Sequence, residues 1–548
     1  MNPSIVQPLR EHPVLQFACE EWEKMSAMRP HAFVPGLPEL VIGTWSDLDA
    51  RCPERLNPAL RVQMSNSVHS DDFIIQEEDG RLILSGKNER ATLYAVYQYA
   101  REVWGLHWVY PGSEPQMDEP SSGSRIVPGR LVRFCSPKLE RRGFVVETVR
   151  DPEYLKQMID WMAKNGANEI FFTFMLWDEY RDELAPEIAK RGLQLTLGGH
   201  SMTFFTNRSE SLRAFLADHP YTAKKQFNYN DESWFPAFFN QMSDYCKGVP
   251  NLTRLSLWPE DVADPSGGDF LSPYIRFSEQ LKAHLHAEGI RVEVEHIAYN
   301  AGLAWHMLEM GGARPSASVD TLFAYWGRDY RYGYVSTPHE NEQRARRALE
   351  EWAGAVHGTK RKLTLFEYYS DHFMLSSLFP ALPKRIAKDV EYYANLGVDG
   401  IVNLIVPYRG PDDYPWQWVH GFNSFVFSRA LWGEPLEQIL HDYALYYPED
   451  KRGAVQALFE VIESTVTELT RWNVPLFPAR AVDPDKAAAT KEQAEAIIGT
   501  LQRIRSQLSP ALASAEIDPQ SNLYKYAARL IEYSVKLEEQ WRTIKIGM

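Results

Sequence analysis

Apolar residues run along this chain in two rhythms, and the change between them divides it. From about Leu139 onward, short apolar runs alternate with longer segments whose apolar residues recur every three or four positions. The short runs are Gly143–Glu147, Glu169–Phe174, Leu193–Leu197, Leu252–Leu257, Arg291–Ile297, Thr321–Tyr325, Leu363–Phe366 and Gly400–Ile405. The spacing predicts buried strands there and helices over Tyr154–Lys164, Arg181–Arg191, Trp234–Cys246, Pro273–Glu288, Glu340–Val356 and Pro383–Leu396. Eight strands, most followed by a helix, predict an α/β fold of the (β/α)8 TIM-barrel type.

The flanks read differently. Asp79-Gly80 between Phe73–Glu77 and Arg81–Leu84 is a hairpin signal. A helix is expected over Arg90–Trp104, closed by Gly105, and a Pro-, Ser- and Gly-rich linker over Gly112–Gly129. Beyond Trp432 only helical spacing remains, in Leu436–Tyr447, Val455–Trp472, Asp485–Leu508 and Leu523–Trp541. The expected division is an N-terminal α/β domain over 1–130, the barrel over 131–432 and a C-terminal helical domain over 433–548.

Composition narrows the function classes. The 548 residues carry 73 acidic against 58 basic side chains, a net charge of -15, which disfavours nucleic acid and anionic membranes as partners. The four Cys have no metal-ligand spacing and are too sparse for a disulfide scaffold. No run of about 18 apolar residues is found, and no signal-peptide core, so a cytoplasmic location is expected. The 13% aromatic share suits a carbohydrate partner, because flat sugar faces stack on rings. No cofactor or metal is expected; a homo-oligomer is left open.

In a barrel of this type the chemistry collects where strands end. The strand Leu252–Leu257 stops at Trp258-Pro259, and Glu260 and Asp261 follow at once. Paired acids are what glycoside hydrolysis needs, one holding a proton for the leaving oxygen and one ionised. The other strand ends offer Glu147, then Trp177, Asp178 and Glu179, then His200, then His296, Tyr299 and Asn300, then Tyr325, Trp326, Arg328 and Asp329, then Glu367, Tyr368, Tyr369 and Asp371, and last Pro407, Tyr408 and Arg409. Glu367 lies between Phe366 and Tyr368, so burial should raise its pKa unless an arginine compensates. Arg328 is suited either to a structural acid or to a substrate carboxylate. His200 follows Gly198-Gly199, a crowded turn that would aim its imidazole inward.

Two groups of segments carry a family resemblance. Arg90-Ala-Thr-Leu-Tyr-Ala-Val-Tyr-Gln-Tyr99 with Trp104-Gly-Leu-His-Trp-Val-Tyr-Pro-Gly112 resembles the domain that precedes the barrel in α-glucuronidases and β-N-acetylhexosaminidases. Glu187 through His200, Trp258-Pro-Glu-Asp261 and Glu391 through Gly400 resemble a bacterial family of glucuronidase-like barrel proteins. The resemblance spans about residues 70 to 445. It implies Glu260 as general acid and Glu367, with Asp329 near it, in place of the acids that activate water. The Glu-Asp order at 260–261 differs from the hexosaminidase Asp-Glu, and Asp261 is the alternative acid.

The function expected from all this is a glycosidase acting at the end of a glycan, on a uronide- or hexosaminide-like sugar. Its catalytic candidates are Glu260, Asp261 and Glu367. The substrate-binding candidates are Glu147, Trp177, His200, His296, Tyr299, Tyr325, Trp326, Arg328, Asp329, Tyr368 and Tyr408. The competing readings are a non-catalytic carbohydrate-binding protein on the same scaffold, and a metal-dependent lyase or isomerase using His200 and the acids.

Overall fold

The computed structural model describes residues 8–28, 39–51, 53–78, 80–117, 131–217, 227–259, 269–300, 304–375, 377–407, 413–473 and 490–543. Glu260, Asp261, Tyr408 and part of the expected helix at 485–508 lie outside them.

The N-terminal part is a four-stranded sheet in the order β1-β3-β2-β6, with β1 Glu39–Thr44, β2 Phe73–Glu78, β3 Arg81–Gly86 and β6 Leu131–Cys135. β2 and β3 pair antiparallel across the expected turn, where Gly80 has φ +73°. The helix Glu89–Trp104 packs on this sheet and stops at left-handed Gly105. A short ladder joins β4 Leu106–His107 to β5 Gln116–Met117. This part is tied to the barrel by Asp71, fully buried, which accepts from Arg90 at 2.7 Å, Arg142 at 2.6 Å and Asn168 at 2.8 Å. Burial works against that carboxylate, but the two guanidiniums outweigh it and hold its pKa well below the usual range.

Eight parallel strands then close into a barrel: β7 Arg141–Val146, β8 Glu169–Thr173, β9 Gln194–His200, β10 Leu252–Trp258, β11 Glu293–Tyr299, β12 Asp320–Ala324, β13 Leu363–Asp371 and β14 Gly400–Val406. This is the (β/α)8 TIM-barrel fold. Alternate residues of a strand face opposite sides, and here the inward set forms layers. The lowest layer is ionic. Arg141 donates to Glu169 at 2.5 Å and to Glu295 at 2.5 Å, and Arg254 donates to Asp320 at 2.7 Å. All five side chains are buried or nearly so, and each charge has an opposite partner, so this end is sealed. The middle layer holds Phe171, Ser256 and Phe366, with Trp258 above them at ring distances of 5.4 and 5.3 Å from the two phenylalanines.

The helices after Trp432 pack on the barrel, as the expected helical C-terminal region. Among the described residues they are Leu436–Ala444, Glu449–Val466, Lys491–Ser514 and Asn522–Thr543. Thr470 donates to Asp329 at 3.1 Å and Tyr526 to the carbonyl of Phe379 at 2.5 Å. No helix among the described residues is long and apolar enough to cross a membrane.

Two expected boundaries shift for one reason. The helix expected over Arg181–Arg191 begins at Phe174 instead, because Thr173 caps it at the very end of β8. Trp177 is therefore a first-turn helix residue, 1% exposed and stacked on Phe172, and not a strand-end group.

Gly198 tests the barrel wall. A Cβ there would fall on the carbonyl of Ser256 and 2.9 Å from the ring of Phe171. Gly198→Ala should cost about 1–3 kcal/mol or more by overpacking. Gly312→Ala, with nothing within 4 Å, should be near neutral. Chemical denaturation of both variants measures the difference.

Candidate active site

The open end of the barrel is built by the topmost inward residue of each strand. β7 delivers Glu147 directly after Val146. The next residue, Thr148, has φ +58°, a costly conformation for a β-branched side chain and a mark of strain beside the acid. β9 ends at Gly198-Gly199-His200. Gly199 has φ +86°, and a Cβ on it would lie 3.9 Å from Glu147 Oε1, which places that carboxylate against the end of β9. His200 is exposed, and its Nδ1 bonds the carbonyl of Pro259 at 2.6 Å. A carbonyl only accepts, so Nδ1 carries a proton. Tyr299, at the end of β11, donates to the same carbonyl at 3.1 Å. Two donors thus pin the backbone of Pro259, the residue before Glu260.

Asn300 follows Tyr299 and fixes the end of β12. Its amide accepts from Trp326 N at 2.8 Å and donates to Trp326 O at 2.9 Å. The Trp326 indole in turn hydrogen-bonds Asp371. Asp371 ends β13 and is 1% exposed. It reaches the mouth because the β13–β14 register shifts between Glu367 and Ser370. Thr364, Phe366 and Tyr368 face inward, and without the shift Asp371 would fall on the helix side. A bulge of this kind re-aims side chains next to functional sites. Asp371 Oδ1 accepts from Phe373 N at 2.8 Å, closing a tight turn.

Asp371 is strongly perturbed. Burial pushes its carboxyl up to about 7 and the charge of Glu147 adds to this. The backbone N–H groups of Met374 and Phe373 and the Trp326 indole pull the other way without cancelling it. Among the described residues no cation pairs with it.

Several expected site residues are elsewhere. Glu367 has outward parity and is 2% exposed. It accepts from Arg328 at 2.8 Å, Tyr330 at 2.8 Å and the Tyr393 hydroxyl, so it belongs to the layer between barrel and helices. Arg328 also donates to Asp389 at 2.9 Å on the helix Pro383–Leu396 and is 1% exposed. Burial still raises the Glu367 pKa and the charge of Asp389 adds to this, with Arg328 and the two phenol hydroxyls pulling the other way. Asp329 is fully buried among Arg331, His339 and Thr470 and anchors the C-terminal helices. His296 faces the helices between Tyr274 and Trp352; burial lowers its pKa to about 4 and keeps it neutral. Tyr325 is buried with its ring stacked on Trp305. Tyr368 has inward parity and is 6% exposed, its ring packed on Phe366 at 4.9 Å.

The structure thus brings together Glu147, His200, Tyr299 and Trp326 from the expected set. Asp371 and Asn300 are expected strand-end residues that sequence reasoning gave no catalytic or binding role. Strand parity would have separated Glu367 from Tyr368; the bulge that returns Asp371 leaves no mark in the sequence. No group of three His, Cys, Asp or Glu among the described residues is placed to hold a metal ion.

No protein-family model matches the chain, and no curated protein matches it. Among solved structures it is similar to the one described as CpGH84B, at 10% identity and a TM-score of 0.48, over 97% of this chain and 86% of that one. It is likewise similar to CpGH84D, at 11% identity and a TM-score of 0.47, over 98% and 90%. Likeness of this order adds nothing to what the closed barrel itself shows.

Two stability predictions follow from the different settings of the two β13 acids. Glu367→Ala leaves Asp389 on the Arg328 guanidinium but takes away the acceptor of the buried Tyr330 and Tyr393 hydroxyls, and should cost about 1–3 kcal/mol in chemical denaturation. Asp371 has a native pKa raised from 3.8, so its contribution to stability is fully present below about 4 and is lost as pH rises through about 7. Asp371→Asn removes that dependence. The melting temperature of the variant relative to the natural protein should therefore climb between pH 4 and pH 7 and level off above it.

Proposed function

We propose that this mouth is the active site of a glycoside hydrolase that cleaves the terminal sugar of a glycan. The carrying observation is the pair Asp371 and Glu147: two acids at the ends of β13 and β7, with β14 between them, close enough for the charge of Glu147 to act on Asp371, whose carboxyl burial pushes up to about 7. Asp371 gives its proton to the glycosidic oxygen as the C–O bond breaks. Glu147, ionised, acts as base or nucleophile; water supplies the hydroxyl to the sugar carbon, and its remaining proton returns to the carboxylates. Trp326, His200 and Tyr299 meet the sugar, with Trp258 as the floor. Glu260 and Asp261, directly after the pinned Pro259, are proposed as further acids toward the sugar. Uronide- and hexosaminide-like sugars are the first to be screened. Glu367, Arg328 and Asp329 support the fold around the site.

The test begins with 4-nitrophenyl and methyl glycosides of a sugar panel and the matching glycosyl fluorides. A fluoride leaving group needs no proton. For Asp371→Asn, kcat/KM on the methyl glycoside should fall about 100- to 10,000-fold, the range of one general acid. The loss on the fluoride should be far smaller. The natural protein should lose activity as pH rises through about 7, and the variant should lack that limb. If Glu260→Gln or Asp261→Asn shows this pattern and Asp371→Asn does not, the proton donor lies on β10 and the assignment to Asp371 is wrong. Sugars that raise the melting temperature while none is cleaved would reject the hydrolase in favour of a carbohydrate-binding protein.

A further inference from the structure

β11 ends on two side chains that leave it in opposite directions, and each fastens a neighbouring strand. Tyr299 donates to the carbonyl of Pro259, directly after β10, at 3.1 Å. Asn300 reaches the other way, to the backbone of Trp326 beyond β12. The β11–β12 ladder stops at the pair Tyr299 and Ala324, and Gly327, with φ +103°, turns the chain away soon after. The peptide groups of Trp326 therefore lie past the last rung. Asn300 is 4% exposed, and its amide takes the place of a strand there. Its Oδ1 accepts from Trp326 N at 2.8 Å, and its Nδ2 donates to Trp326 O at 2.9 Å. Two bonds to one residue fix both the position and the rotation of that piece of backbone.

The side chain on this backbone gives the clamp its interest. The Trp326 indole hydrogen-bonds Asp371 at the end of β13, the next strand of the barrel. The other donors to Asp371 are the N–H of Phe373, 2.8 Å from Oδ1, and the N–H of Met374. Those two belong to the acid's own turn and move with it. The indole comes from a different strand, so it fixes the carboxyl relative to the barrel.

Resting on the reading of Asp371 as proton donor, we infer that Asn300 is a positioning residue of this site: it holds the Trp326 backbone so that the indole stays on the Asp371 carboxyl. A donor to a carboxylate favours the ionised form. Burial and the charge of Glu147 favour the proton instead. The indole is thus a counterweight, and it limits how far above neutral pH the proton is kept. With the indole displaced, Asp371 holds its proton to higher pH and releases it less readily.

The experiment compares the melting temperature of each protein with that of its own Asp371→Asn counterpart, from about pH 4 to about pH 10. For the natural protein the difference should climb and level off above about 7. In Asn300→Ala it should level off about one pH unit higher, a roughly tenfold weaker acid, as for the loss of one hydrogen bond to a charged group. Asn300→Ser, which cannot make both bonds, should do the same. Trp326→Phe, which lacks the indole N–H, should also raise the level-off point. Asn300→Ala combined with Trp326→Phe should raise it no further than either alone, because both act through one bond. With a methyl glycoside as substrate, the alkaline fall of kcat/KM should move with the level-off point. If Asn300 is merely structural, both members of each pair lose stability equally and the level-off point stays where it was; that result overturns the assignment. Shifts that add in the double variant overturn it too. Absence of turnover by the natural protein overturns the hydrolase reading, whatever the level-off point does, and leaves Asn300 the support of a buried acid with no catalytic task.

Discussion

Closing eight parallel strands into one barrel forces each side chain to a single side of the wall, inward at every second position. The rest of the molecule depends on that alternation. Inward residues at the start of the strands, Arg141, Glu169, Arg254, Glu295 and Asp320, find opposite charges across the barrel and seal it. Phe171, Phe366 and Trp258 fill the middle. What is left inward at the far end is Glu147, His200, Tyr299 and Asp371. Charge is neutralised at the bottom and concentrated at the top.

One strand shows how environment sorts chemically identical groups. Glu367 and Asp371 both lie on β13 and are both buried. Glu367 is met by a guanidinium and two phenol hydroxyls, and ties the wall to the helix Pro383–Leu396. Asp371 is met by backbone N–H groups and one indole, with another acid nearby. The first arrangement supports a structural charge. The second favours a held proton, because desolvation is left without a cation to offset it. The two settings are separated by a register shift of the β13–β14 pairing.

The flanking parts hold this arrangement without contributing to the mouth among the described residues. Asp71 locks the N-terminal sheet to the outward side of β7 through Arg142. Thr470 reaches Asp329, so the C-terminal helices grip the loop after β12, just beyond the Trp326 that contacts Asp371. Loosening either anchor would act on the site only through the strands it steadies.

How much of this was legible in the chain follows from the range of each interaction. Apolar periodicity is local, so the eight strands, the helix closed by Gly105, the hairpin at Gly80 and the C-terminal helices could be read with small boundary errors. The crowded Gly198-Gly199 turn was also legible, since glycine there is a local steric demand and places His200. Strand parity was present in the sequence as well, and it distinguishes Tyr368 from Glu367 and Tyr299 from His296. Tertiary structure alone decided the rest. That Arg328 turns to Glu367 and Asp389, that Thr173 starts a helix with no loop and buries Trp177, and that a bulge returns Asp371 to the mouth all depend on partners far away in sequence. A carboxylate's role is set by which charges and donors surround it, and those are brought together only when the barrel closes.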